Sequence, residues 1–238
     1  MKLSSLPLVL AVLALTALLL AGPGTRFEVW DFRFGFTLMR YAAYTGIAAG
    51  ILAVIGLLWP KLRRQGASRW VLGLVLATLV VGLPLLQVRQ ARAVPAIHDI
   101  STDLIDPPAF VAIAALRGDT SNPLDRADPQ LQDLQRQAYP DLQPVILPEP
   151  PAAAQQRAMH AAETLGWQIV ANDPASGLIE ATDTTLWFGF KDDIVIRIRP
   201  EGDGSRIDLR SVSRVGRSDL GANARRIRVF LEQVQENH

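Results

Sequence analysis

The 238-residue chain has no cysteine, and charged residues make up only 20% of it. The first absence excludes disulfides, thiolate zinc sites and cysteine nucleophiles. The 24 Lys and Arg residues nearly balance the 23 Asp and Glu residues, giving a formal net charge of +1. This balance argues against a chain that is basic throughout, as many nucleic-acid binders are. We therefore expect no nucleic-acid partner.

The near-neutral total conceals two parts of opposite charge. Residues 1–94 carry ten basic and two acidic groups, a net charge of +8. Residues 95–238 carry 14 basic and 21 acidic groups, a net charge of −7. Such asymmetry is typical of a chain with a membrane segment or a tail. We therefore divide the chain into residues 1–94 and residues 95–238.

Three stretches of the first part contain no charged residue, at about residues 3–21, 41–59 and 70–88. Each is about 28 Å long as a helix, close to the ~30 Å hydrocarbon core of a bilayer. The pattern predicts three transmembrane helices that form an integral membrane anchor. Buried soluble helices are the alternative for all three. A cleaved signal peptide is the alternative for the first, but Leu19-Leu20-Ala21 is not a small-x-small cleavage site, which favours an uncleaved helix.

Basic residues near the spans predict the orientation. The loop between the second and third stretches holds Lys61, Arg63, Arg64 and Arg69. If Lys2 is counted on the same side as this loop, five basic groups lie on each side of the membrane. The count therefore does not decide the orientation, and we use the density of basic residues near the spans instead. That density predicts a cytoplasmic loop in a bacterial inner membrane and a periplasmic C-terminal domain. No ionisable residue lies inside a span, which argues against a transporter or proton relay.

Residues 95–238 divide into a proline-rich arm (95–149) and a regular module (150–238). Ten of the chain's 16 prolines lie within residues 95–151, which predicts irregular backbone. The arm is nevertheless too apolar for a free linker, so we expect it to wrap along the module. In the module the pattern predicts a helix from Pro151 and strands at 167–171, 178–182, 194–199 and 206–213. It also predicts a helix over 220–235, capped by Ser218 or Asp219, that buries Leu220, Ile227, Leu231 and Val234. The expected fold class is α+β, with a mostly antiparallel sheet of about four strands and two helices.

Period-two alternation predicts the faces of the second hairpin. Ile194, Ile196 and Ile198 share one face and lie opposite Ile207 and Leu209. The arginines and Asp208 of the same strands then lie on the other face.

Basic residues concentrate near the start of the last helix, and Arg210, Arg214 and Arg217 are the nearest upstream. A helix N-terminus with nearby arginine can bind a phosphate, a carboxylate or a lipid headgroup. The alternative is that these arginines pair with the 15 acidic groups of residues 95–196 and fix the arm.

Other polar and aromatic clusters are weaker candidates. Asp183 and the pair Asp192-Asp193 could do acid–base work or bind a cation. Neighbouring strand residues point to opposite faces, however, which favours a turn and a strand start for the pair. His98 has acidic neighbours but no second histidine, so we expect no metal. There is no P-loop, dinucleotide fingerprint or Ser/His/Asp spacing, so we expect no cofactor.

Trp187 and Phe190 delimit the most aromatic patch of the second part, which could line a ligand groove, contact the bilayer or pack in the core.

Three ordered motifs resemble an uncharacterised family, domain of unknown function 1499. The first is Ala96–Asp103 with Pro107–Phe110 after it, the second is Ile179–Asp193, and the third is Ser211–Asn223. The similarity runs from about residue 96 to 234. It implies a protein that is often membrane-attached and has no agreed activity, and it supplies no catalytic residue. It also draws attention to the polar residues Arg214, Asp219 and Asn223.

Two functions from different classes follow. The first is a membrane-anchored binding or interaction module that holds an envelope lipid, an anionic ligand or a partner protein. The candidate ligand-binding residues are Arg210, Arg214, Arg217, Asp219, Asn223, Asp183, Trp187 and Phe190. The alternative is a membrane-anchored hydrolase of an envelope ester or phosphate that uses Asp183 or Asp219 with Arg214. Binding is preferred because no nucleophile and base can be paired in the sequence.

Overall fold

The computed structural model describes residues 3–125 and 129–236, so Lys2, counted in the topology prediction, lies outside the described residues. The chain separates into two compact units. The first runs to Gln90 and also contains Leu186–Gly189. The second comprises Ala91–Thr185 and the residues from Phe190 onward.

The first unit is helical. After a 3₁₀ turn at Leu3–Ser5, its helices are α1 (Leu6–Arg26), α2 (Phe32–Leu58), α3 (Pro60–Arg63) and α4 (Ala67–Ala93). Asp31 caps α2 by accepting the backbone N–H of Arg33 at 2.8 Å. Three of these helical segments, Leu3–Arg26, Phe32–Leu58 and Ala67–Ala93, are long and apolar enough to cross a membrane.

Small residues bring these helices together, and large apolar residues point outward. Ala14, Leu18, Ala42 and Val80 form a buried cluster, against which Trp187 packs. Gly56 leaves room for the ring of Trp70, because a Cβ at Gly56 would lie 2.2 Å from that ring. No more than 28% of the most apolar window of each helix is buried. Most of the apolar side-chain surface therefore lies on the outside of this unit.

The second unit is α+β, as predicted. Its elements are β1 (Asp99–Ser101), a 3₁₀ turn (Ile113–Leu116), α5 (Pro129–Ala138), β2 (Val145–Leu147), α6 (Pro151–Thr164), β3 (Gln168–Asp173), β4 (Leu178–Thr184), β5 (Lys191–Glu201), β6 (Gly204–Ser213) and α7 (Ala222–Glu236). The sheet order is β1-β6-β5-β4-β3, with β2 also paired to β6, and every pairing is antiparallel.

The sheet has six strands where the sequence predicted about four. The two additional strands, β1 and β2, each contain three residues of the proline-rich arm and pair with β6. Three residues are too few to show a period-two pattern, so only the tertiary pairing reveals them. This pairing also confirms that the arm packs along the module.

The predicted faces of the β5–β6 hairpin are confirmed. Ile196 is paired with Leu209, and Ile198 with Ile207. These residues belong to a buried core that also contains α6 and α7 side chains, with Trp167 stacked on Phe230 at 5.4 Å between ring centroids. Leu220 was predicted to be buried in the last helix, but it is 38% exposed and precedes α7 with a φ of +55°. Its left-handed backbone belongs to the turn that leads into the helix.

Candidate functional site

Two adjacent aspartates at the start of β5 organise two separate polar clusters. Asp192 is paired with Ser213 in the sheet, and Asp193 with Val212. Because neighbouring strand residues point to opposite faces, each carboxylate enters a different cluster. Both side chains are almost completely buried.

Asp193 joins two arginines that are far apart in sequence. Its carboxylate accepts hydrogen bonds from Arg117 and, at 2.8 to 3.2 Å, from Arg214. The Thr182 hydroxyl lies 2.9 Å from the same carboxylate. Burial lowers the pKa of Arg117, and the positive charge of Arg214 lowers it further. The negative charge and the hydrogen bond of Asp193 act in the opposite direction, without cancelling the shift. This cluster holds two guanidinium groups for one buried carboxylate.

Arg210 lies on the same face of the sheet and is fully engaged. It forms a two-point ion pair with Asp99, at 3.0 and 2.7 Å. It also donates to the carbonyl oxygens of Pro108 and Leu124, and its guanidinium lies 5.4 Å from the ring centroid of Phe110. Arg210 therefore fixes the arm to β6.

The second cluster is built around Arg226 of α7. Arg226 donates to Asp183 at 2.8 Å and to Asp192 at 2.6 Å. It also bonds Ser211 and Asn223. Asn223 is completely buried and donates to the carbonyl oxygen of His98 at 3.0 Å. Asp183 and Asn223 thus belong to a packed network that joins α7 to the sheet.

Asp219 caps α7, as the sequence predicted. Its two carboxylate oxygens accept the backbone N–H groups of Gly221 and Asn223, both at 2.8 Å. Burial raises the pKa of Asp219, and the negative charge of Asp192 raises it further. The two backbone hydrogen bonds and Arg226 oppose this shift without cancelling it.

The other three predicted residues lie apart from these clusters. Arg217 is exposed and has no ion pair within residues 3–125 and 129–236. Trp187 belongs to the first unit, where it packs on the apolar helix cluster. Phe190 is partly buried, and its backbone N–H bonds the Thr185 hydroxyl at 2.9 Å.

Of the predicted polar residues, Arg214 therefore belongs to the Asp193 cluster, whereas Asp183 and Asn223 belong to the Arg226 cluster. In the described part of the chain, no ion pair or hydrogen bond joins Arg214 to Asp183 or Asp219. Sequence reasoning missed Arg117, which lies 76 residues from Asp193 and carries no local signal. By contrast, the sequence did predict that the side chains of Asp192 and Asp193 point to opposite faces of the sheet. Among the described residues, no group of three His, Cys, Asp or Glu side chains is placed to hold a metal ion.

A separate groove of about 650 Å³ lies beside α6. Its lining combines residues of α6 with the β3–β4 hairpin and Ile198, and it contains no lysine or arginine. Gln155, Gln156, His160 and Glu163 supply its polar groups from the helix. None of the predicted site residues lines this groove.

The model of the family described as "Protein of unknown function (DUF1499)" matches residues 99–234. The match includes both polar clusters and all eight predicted site residues. No curated protein matches the chain.

Proposed function

This chain belongs to the DUF1499 family, and we propose that it is a membrane-anchored binding module rather than an enzyme. The second unit would bind an anionic ligand, such as an envelope lipid headgroup or an acidic group of a partner protein. The observation that carries the proposal is the excess of positive charge where Arg117 and Arg214 share the single carboxylate of Asp193.

The anchor is the first part of the proposal. Three helices of sufficient length expose their large apolar side chains, and a bilayer would cover that surface. We assign the protein to the inner membrane as a multi-pass protein, with residues 1–94 as the anchor and residues 95–238 in the periplasm. The basic loop between α2 and α4 supports this orientation.

Binding is the second part. Arg214 retains 18% side-chain exposure while it pairs with Asp193. Arg217 follows three residues later and is exposed. An anion at this edge would meet Arg217 and the exposed part of the Arg214 guanidinium. Charge-assisted hydrogen bonds from guanidinium groups favour phosphate and carboxylate ligands.

A hydrolase is less well supported. That function needs Asp183 or Asp219 to act together with Arg214. Asp183 instead pairs with Arg226, and Asp219 uses both oxygens to cap α7. A carboxylate that accepts two backbone N–H groups is poorly placed to attack a substrate or move a proton.

Single cysteines test the anchor, because the chain has none of its own. Ser68→Cys lies at an exposed position in the first turn of α4, and Asp203→Cys lies in the exposed β5–β6 turn. In intact spheroplasts, we expect a membrane-impermeant thiol reagent to label Asp203→Cys and not Ser68→Cys. The reverse pattern would overturn the orientation, and extraction of the chain by alkaline carbonate would overturn insertion.

Phosphate probes test the binding edge. We expect pyrophosphate to bind the full chain in detergent, and Arg217→Gln to weaken binding by about tenfold. Arg225→Gln is the control, because it removes another exposed arginine, from α7. Equal losses of pyrophosphate affinity in both variants would indicate nonspecific attraction of the anion to surface arginines. Turnover of a nitrophenyl phosphate or ester that Asp219→Asn abolishes would favour the hydrolase.

A further inference from the structure

The segment from Lys61 to Arg69, here called the cationic loop, comprises most of α3 and the start of α4, and it has no counter-ion among the described residues of its own unit. Lys61, Arg63, Arg64 and Arg69 are all exposed, and none forms an ion pair with any residue that the structure describes. Up to Gln90 the only acidic residues in the sequence are Glu28 and Asp31, which lie before α2. The 27 residues of α2 span about 40 Å, several times the ~8 Å screening length at physiological salt. Any counter-ion for these basic groups therefore comes from outside this unit.

The conformation of this loop is held by the helices. The buried Trp70 donates its indole N–H to the carbonyl oxygen of Leu62 at 3.1 Å, between Lys61 and Arg63 in the chain. Trp59 is 60% exposed at the end of α2. An exposed tryptophan beside basic residues is typical of the headgroup level of a bilayer. The basic groups are thus presented on an ordered turn.

An apolar groove of about 510 Å³ runs along α2 and α4 from the same end of these helices. On α2 it extends from Ile55, one turn before the helix ends, to Gly46. These ten residues are separated by nine helical rises, or about 14 Å, close to the ~15 Å of hydrocarbon in one leaflet. Thr78 supplies the only polar side chain of the lining, and its hydroxyl donates to the carbonyl oxygen of Leu74 at 2.9 Å. The groove therefore offers no unsatisfied side-chain group to a polar occupant.

We propose that the first unit binds one anionic phospholipid, with its headgroup on Lys61, Arg63 and Arg64 and one acyl chain in the groove. Charge complementarity selects the headgroup, and the groove accommodates the tail. This inference rests on the proposed insertion of the helices in a bilayer. It concerns a different unit and a different ligand site from the Arg217 edge.

Native mass spectrometry of the full chain, released from micelles containing phosphatidylglycerol or phosphatidylcholine, tests the headgroup site. We expect selective retention of phosphatidylglycerol. The double variant Arg63→Gln/Arg64→Gln should lower its affinity by about fivefold per arginine. Arg89→Gln/Arg92→Gln is the matched control, because it removes two exposed arginines beyond the other end of the groove. Equal losses in both doubles, or no headgroup selectivity in the native chain, would overturn the proposal.

A second variant tests the groove. A Cβ at Gly82 meets no atom within 4 Å, so Gly82→Leu should fill the groove without disturbing the helix packing. We expect it to reduce retention of phosphatidylglycerol at least tenfold, whereas Val75→Leu, outside the lining, should not. Unchanged lipid retention in Gly82→Leu would overturn the proposal. A dimer in the native chain that Gly82→Leu converts to a monomer would identify a second copy as the occupant instead.

Carbonate extraction distinguishes a wrong assignment of membrane insertion from a wrong assignment of the phospholipid site. If the chain is extracted, membrane insertion fails and this inference fails with it. If the chain stays in the membrane and lacks selective lipid retention, only the phospholipid site is wrong.

Discussion

The carboxylate of Glu180 accepts the backbone N–H of Val111 at 2.8 Å, across 69 residues of sequence. The same carboxylate accepts the N–H groups of Ala112 and Ile113, at 2.9 and 2.8 Å. Glu180 lies in β4 and is 2% exposed. These three N–H groups begin the 3₁₀ turn and would otherwise lack partners. The buried Glu180 carboxylate therefore holds residues 111–113 of the proline-rich arm on the sheet.

Glu180→Gln should release this part of the arm. The amide would keep one acceptor and place an NH₂ group against a backbone N–H. Loss of hydrogen bonds to a charged group costs about 2 kcal/mol, which corresponds to roughly 30-fold faster opening. We expect amide hydrogen exchange of residues 111–113 to accelerate by about that factor.

Glu163→Gln is the matched control, because Glu163 is exposed on α6. It should leave exchange of residues 111–113 unchanged. Equal exchange in the native chain and in Glu180→Gln would mean that other contacts hold the arm.

Asp193→Asn should strongly destabilise the second unit. The substitution leaves Arg117 and Arg214 without their shared counter-charge, and the side chain of Arg117 is only 5% exposed. Breaking a buried ion pair from one side costs about 3–5 kcal/mol. The free energy of unfolding of the full chain in detergent, measured with denaturant, should fall by that amount. Asp203→Asn in the exposed β5–β6 turn should change it by less than about 0.5 kcal/mol.

A double variant identifies the cause. Arg117→Gln combined with Asp193→Asn should recover part of the loss, because one of the two stranded charges is then removed. Strictly additive losses would show that Asp193 and Arg117 act independently.

The module could be predicted from sequence because its signals are local. Strands β4 to β6 have an alternating apolar pattern, and Gly and Asp residues mark their turns. The burial of Ile227, Leu231 and Val234 in α7 follows from helical spacing and is confirmed. The short strands β1 and β2 could not be predicted, since pairing with β6 creates them. The turn at Leu220 was misassigned to the helix because its apolar side chain fits the helical pattern.

The polar clusters were only partly predictable for the same reason. The composition indicated that arginines and acidic residues would pair, and the structure contains such pairs at Asp99, Asp183 and Asp193. It did not indicate which residues pair, because partners such as Arg210 and Asp99 lie 111 residues apart. Their proximity depends on how the arm crosses the sheet, which no periodicity encodes.

Asp219 should make stability depend on pH in the acidic range. Its folded pKa is raised, so on increasing pH the unfolded chain loses this proton first. Stability should therefore fall as pH rises from the ordinary aspartate value through the folded pKa of Asp219, and then level off. Asp219→Ser keeps a capping oxygen and removes the titration. The difference in unfolding free energy between the native chain and Asp219→Ser should show this slope, and a constant difference would contradict it.

Gly177 and Gly202 should respond differently to alanine although both have a positive φ, of +67° and +57°. A Cβ at Gly202 meets nothing within 4 Å, so Gly202→Ala should cost only the left-handed backbone strain of about 1 kcal/mol. A Cβ at Gly177 would lie 2.2 Å from the carbonyl oxygen of Ile198. That oxygen belongs to β5, and the Ile198 N–H donates to Gly177 at 2.8 Å, so the clash must separate the two strands. Gly177→Ala should therefore lower the free energy of unfolding by a further ~2 kcal/mol or more. Equal losses at the two positions would show that β4 and β5 separate there at little cost.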